Sequence, residues 1–162
     1  MRRVLLYGFL LGALGVFVFH QGVIFLLFHY GNHVPFLVSA LGRVSGPGWN
    51  LHQMMPNPPL RGLAIPLLLN QMFWGGLWGI AIAAMLRFTR FPSLLGGLLI
   101  GVLGCVGVAM TLVVSLKGQP LFAGGNGQTL LRAALINGAF GWGTALLLRP
   151  FGLRKVEVRG YT

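Results

Sequence analysis

The stretch Gly8-Phe-Leu-Leu-Gly12-Ala-Leu-Gly15 decides how this chain is read. Residues 97–104, Gly97-Leu-Leu-Ile-Gly101-Val-Leu-Gly104, repeat its glycine spacing and two of its leucines. A second pattern also recurs: Asn70-x2-Phe73-x2-Gly76 returns as Asn137-x2-Phe140-x2-Gly143. The first pair is 89 residues apart and the second 67, as expected if the first unit carries the longer loop. All four copies lie in apolar runs of membrane length. The reading is an all-α polytopic membrane protein, a two-helix hairpin duplicated in tandem to give four transmembrane helices.

Composition agrees. Hydrophobic residues make up 56% of the 162 and charged residues 8%, with a mean hydropathy of +0.80; a soluble domain carries roughly 25% charged residues. A span needs about 20 apolar residues to cross a core about 30 Å thick, and the segments 4–28, 63–86, 93–116 and 129–149 qualify. A water-soluble fold cannot hide four such runs with so few charges to cover them. One membrane domain is expected over 1–162. Repeat unit one is 4–86 with an external loop at 31–62, unit two is 93–149, and a basic tail occupies 150–162. Met1-Arg2-Arg3 before an apolar run imitates a signal peptide, but the run is too long and lacks a small-x-small site before His20. It is expected to stay as the first span.

The net charge of +11 follows from topology once the charges are placed. Arg2, Arg3, Arg87, Arg90, Arg149, Arg154, Lys155 and Arg159 flank one set of span ends; Arg43, Arg61, Lys117 and Arg132 fall on the other side. The positive-inside bias then predicts both termini in the cytoplasm of a bacterial inner membrane. The basic ends attract anionic lipid headgroups by about 1 kcal/mol per basic residue, and no nucleic-acid partner is needed.

Gly8, Gly12 and Gly15 share one helical face, as do Gly97, Gly101 and Gly104. Small residues let helix backbones approach closely in lipid. The expectation is that helices one and three cross on these faces about a pseudo-two-fold axis along the membrane normal, or that each face meets a second copy. The lone Cys105 excludes an internal disulfide and reads as a small packing residue. In the Pro- and Gly-rich first external loop, Pro35–Leu41 suits the outer interface, with Trp49 as an anchor.

Polar residues at membrane depth give the functional clue. At 1.5 Å per residue, His20 and Gln21, Asn70 and Gln71, and Asn137 all lie roughly 10–14 Å below the outer helix ends. Arg132 sits above that layer, with Trp74 and Trp142 one turn below the asparagines. Such groups either lock a bundle by hydrogen bonding or line a wet cavity. The chain has no Asp, and its one Glu, Glu157, is in the tail. Arg132 must therefore pair with a carbonyl, water, a lipid phosphate, another subunit or an anionic ligand. Paired carboxylates and a Ser-His-Asp triad are unavailable, so no enzyme activity is expected. His20 remains able to shuttle a proton or bond a quinone carbonyl. No cofactor is expected: haem lacks histidines on facing helices. A copper set from His29, His33, His52, Met54 and Met55 has suitable ligand types but is broken by Gly31.

The runs Phe19-His20-Gln21-Gly22, 73–79 (Phe-Trp-Gly-Gly-Leu-Trp-Gly), Lys117-Gly118-Gln119-Pro120 and Asn137-Gly138-Ala139 resemble those of a family of small four-helix bacterial inner-membrane proteins. That family has no assigned activity, so the resemblance implies topology alone. Four-helix fluoride channels differ, since their Ser/Thr-rich third-helix segment is missing here. The leading expectation is a non-catalytic accessory or assembly subunit that binds other membrane subunits or itself. The alternatives are a small transporter, channel or lipid-binding protein with a periplasm-facing polar cavity, and a haem-, quinone- or copper-binding redox protein.

Overall fold

The computed structural model describes residues 1–54 and 65–153. Among them the chain is helical, with four helices long and apolar enough to cross a membrane. Helix α1 is Arg2–His33, the short α2 is Pro35–Leu41, α3 is Leu67–Phe88, α4 is Ser93–Leu116 and α5 is Gly127–Phe151. Proline marks three of the starts: Pro35 in the first turn of α2, Pro66 before α3 and Pro92 before α4. Its missing N–H costs nothing where no intrahelical acceptor exists. Asn126 caps α5, its Oδ1 accepting the Thr129 N–H at 2.9 Å. Gly42 (φ +69°) ends α2 and Gly118 (φ +64°) follows α4, both left-handed as such ends require. Ahead of α5, Phe122, Ala123 and Gly124 are left-handed in succession, at 47°, 53° and 62°. That conformation costs an L residue about 1–2 kcal/mol.

The glycines work inside each hairpin. Gly8 and Gly12 of α1 face Gly75 and Gly79 of α3; a Cβ on Gly8 would stand 2.7 Å from Ile80 Cα, and one on Gly12 2.7 Å from Gly79 Cα. In the second hairpin Gly97 and Gly101 press on the backbone of Gly141 and Asn137. The glycine faces of α1 and α4 therefore do not cross each other, as the sequence suggested, and they are not left open for a second copy. Close backbone approach needs small residues on both partners, and the returning helix of each hairpin supplies them. Gly15 and Gly104 reach across between hairpins, Gly15 onto Thr144 of α5 and Gly104 onto Trp78 of α3.

The returning helices use a register that differs from the Asn-x2-Phe-x2-Gly match. Gly79 and Gly141, Ala83 and Ala145, and Leu86 and Leu148 hold corresponding buried places, 62 residues apart. Asn137 then occupies the seam position of Gly75, and Asn70 corresponds to Arg132. The two asparagines, 67 apart, are five residues out of this register. The interior beneath them is packed over two helical turns: Ile82, Ala83 and Thr144 are 0% exposed, and Phe140 and Leu148 almost as fully buried. Outward-facing positions such as Leu10, Leu103 and Leu112 remain bare, as suits a lipid-facing surface.

Candidate functional site

Midway along α1 the hydrogen-bond ladder widens at Val16–His20, where the Gln21 N–H reaches past Phe17 to Val16 O. A widened turn releases a carbonyl, and a freed carbonyl at membrane depth must find another donor. The Trp49 indole supplies it, donating Nε1–H to Phe17 O at 2.7 Å. Trp49 is held at φ +45°, and its ring rests between Phe17 and Phe25 at centroid distances of 6.1 and 5.5 Å. The loop after α2 is thereby pinned down onto the mouth of the bundle.

Gln21 is the hub beneath that loop. It is 4% exposed; its Oε1 accepts the Trp49 backbone N–H at 3.0 Å. Its Nε2 donates to Gln71 Oε1 at 2.8 Å and lies 3.3 Å from His20 Nδ1. One amide thus ties α1, α3 and the loop together, with most of its capacity used.

Arg132 grips the same loop from α5. Its Nη1 donates to Leu41 O (3.0 Å) and Arg43 O (3.1 Å), the carbonyls at the end of α2. A cation is favoured at a helix C-terminus. Gln128, one turn earlier, donates Nε2–H to Ser39 O at 2.8 Å. Nε and Nη2 of Arg132 have no partner among the described residues. The same holds for the guanidinium of Arg43.

These elements line an open cavity of about 280 Å³. Gln21, Gln71 and Arg132 come from the spans; Arg43, Asn50 and Gln53 come from the loop; Ile24, Leu68 and Ile136 add apolar wall. Two guanidinium groups thus share a pocket walled also by four amide side chains, and no acidic residue lines it. Its donors are suited to an anionic group bearing oxygens, which a guanidinium fork binds by charge-assisted hydrogen bonds.

The sequence-selected residues divide. Gln21, Gln71 and Arg132 line the cavity, and His20 touches it through Gln21. Asn70, Trp74 and Asn137 do not line it. Asn70 precedes Gln71 and points about 100° away on the helix. Trp74 is 55% exposed and edge-on to Phe73 on the outer surface. The Asn137 amide returns to Ala133 O of its own helix at 2.9 Å. Arg43, Trp49, Asn50 and Gln53 were not selected from sequence as cavity residues. The available signal was Arg43, a second cation on that side without an acidic partner.

The metal candidates disperse. His29 lies against Phe25 and Phe28, at ring distances of 4.3 and 5.0 Å, while His33 belongs to a separate tight turn. The His52 backbone is turned by Asn50 Oδ1, and Met54 pairs with Pro66. Met55 lies outside the described residues. No three His, Cys, Asp or Glu side chains gather among the described residues. Comparison of the chain with protein-family models, curated proteins and solved structures finds no match.

Proposed function

We propose that this chain is an integral membrane protein that binds an anionic, oxygen-bearing group in the Arg43–Arg132 pocket, as a small transporter or lipid-binding protein. The observation that carries this reading is that Arg43 and Arg132 line one amide-walled pocket, in a chain whose single acidic residue is Glu157 in the C-terminal tail. Arg132 is partly buried and Arg43 is exposed at the rim, so an anion entering the pocket meets two forked cations with no acidic competitor. In this reading both termini face the cytoplasm of a bacterial inner membrane, the pocket opens to the periplasm, and the two hairpins descend from one duplicated unit. The packed interior around Ile82, Ala83, Phe140 and Leu148 favours a binding pocket over a standing channel. The accessory-subunit reading rested on the absence of catalytic residue sets together with the glycine faces, and the described structure uses those faces between the chain's own helices.

The test is calorimetric titration of the purified protein in neutral detergent. The probes are inorganic phosphate and short-chain phosphatidylglycerol, with short-chain phosphatidylcholine as the zwitterionic control. At least one anionic probe is expected to bind, and Arg132→Gln should weaken it by about tenfold or more. The identity of the effective probe separates a free anion from a lipid headgroup. Absence of binding by both anionic probes, or equal affinity in Arg132→Gln, overturns the reading.

A further inference from the structure

A second cationic cavity lies at the opposite end of the bundle, beside the N-terminus. It measures about 450 Å³ and is lined by Met1, Arg2, Arg3 and Val4 from α1, Arg87 from α3, and Gly152 and Leu153 beyond α5. Two helices and the segment that follows a third thus contribute to one hollow, and all three of its charged side chains are guanidinium groups. Arg87 is half-buried, and its Nη1 donates to Leu153 O at 3.3 Å. That contact orients the side chain, leaving Nε and Nη2 without a partner among the described residues. The floor is apolar: Val4 is 3% exposed and Leu153 7%.

Topological bias explains why arginines collect at this end, but it does not require three of them around one hollow. An anion at the centre relieves their mutual repulsion, and forked donors suit a phosphodiester. The surroundings select a lipid as its source. Leu5 and Leu6, next along α1, and Phe88, next along α3, are more than half exposed, so an acyl chain finds apolar wall beside the headgroup hollow. Basic pockets between spans at a membrane surface hold acidic lipid headgroups in this manner.

We propose that the Arg2/Arg3/Arg87 hollow binds the phosphodiester of an anionic phospholipid from the leaflet on that side. This site shares no residue with the Arg43–Arg132 pocket, and either assignment can fail without the other.

The experiment is native mass spectrometry of the full chain, taken from mixed micelles with equal phosphatidylglycerol and phosphatidylcholine. Wild type is expected to retain phosphatidylglycerol preferentially. Arg2→Gln/Arg3→Gln leaves the Arg87–Leu153 contact in place and should cut that retention by about fivefold or more. The double variant is also compared with its parent in an Arg132→Gln background, so that phosphatidylglycerol held in the Arg43–Arg132 pocket does not enter the comparison. Equal retention of both lipids by wild type overturns the proposal, as does full retention in the double variant. Displacement of the lipid by millimolar inorganic phosphate also overturns it, since free phosphate is then the occupant. Retention that appears only in Glu157→Gln overturns it too, because the tail carboxylate is then the resident anion.

Discussion

At the residue scale, the absence of a side chain does as much as the presence of one. A methyl group on Gly12 meets the backbone of α3, and one on Gly101 meets the Asn137 peptide, whereas nothing lies within 4 Å of the same position on Gly107. Gly12→Ala and Gly101→Ala should therefore each destabilise the protein by about 1–3 kcal/mol, the usual cost of overpacking. Gly107→Ala should be neutral or slightly stabilising, because alanine favours helix. Thermal unfolding in one detergent compares all three, and equal midpoints would contradict the seam as described. Trp49→Phe keeps the aromatic packing but removes the N–H that satisfies Phe17 O. The expected loss is about 1 kcal/mol, read as faster amide exchange across residues 42–50. Unchanged exchange would mean that the indole hydrogen bond does not hold the loop.

At the element scale, the hairpins are held by glycine seams within each pair and by a few polar contacts at one end. The Gln21–Gln71 bond joins α1 to α3 in that polar layer. A double-mutant cycle with leucine at each position should give a coupling energy of about 0.6–2 kcal/mol; zero coupling would reduce the bond to a bystander. The spans were legible in the sequence because hydropathy and length depend on composition alone, and α4 begins and ends at the positions expected. The partners of the glycine faces were not legible. Gly8, Gly12, Gly97 and Gly101 announce close approach but not to which helix, and the matching small residues Gly75, Gly79 and Gly141 sit among other glycines. The Asn-x2-Phe-x2-Gly match also misled, since it lies five residues from the register in which α3 and α5 pack. A short polar motif fixes no register when buried glycine and alanine set the crossing. Gln21, Gln71 and Arg132 could be selected because polar groups at depth are costly. Arg43, Asn50 and Gln53 escaped because a loop residue gains its depth only when the chain folds back, and here that return depends on Trp49.

At the scale of the whole molecule, two cationic hollows stand at opposite ends of a bundle whose middle is packed. In a planar bilayer the purified protein should give no steady unitary conductance, since Ile82, Ala83, Phe140 and Leu148 pack the interior between the two hollows. A reproducible open-channel current would require that packing to part and would replace binding with conduction as the main activity. The Arg43–Arg132 pocket takes lining residues from three spans, and among the described residues only one of its cations is held by hydrogen bonds: Arg132 donates to the carbonyls of Leu41 and Arg43. The most direct measurement of the central claim is an anomalous difference map from crystals of the protein soaked in selenate, an oxyanion visible by its own scattering. A peak is expected in the cavity bounded by Gln21, Gln71, Arg43 and Arg132, within hydrogen-bonding reach of both guanidinium groups and lost in Arg132→Gln crystals. An empty cavity in wild type, or a peak that persists in the variant, would contradict that claim.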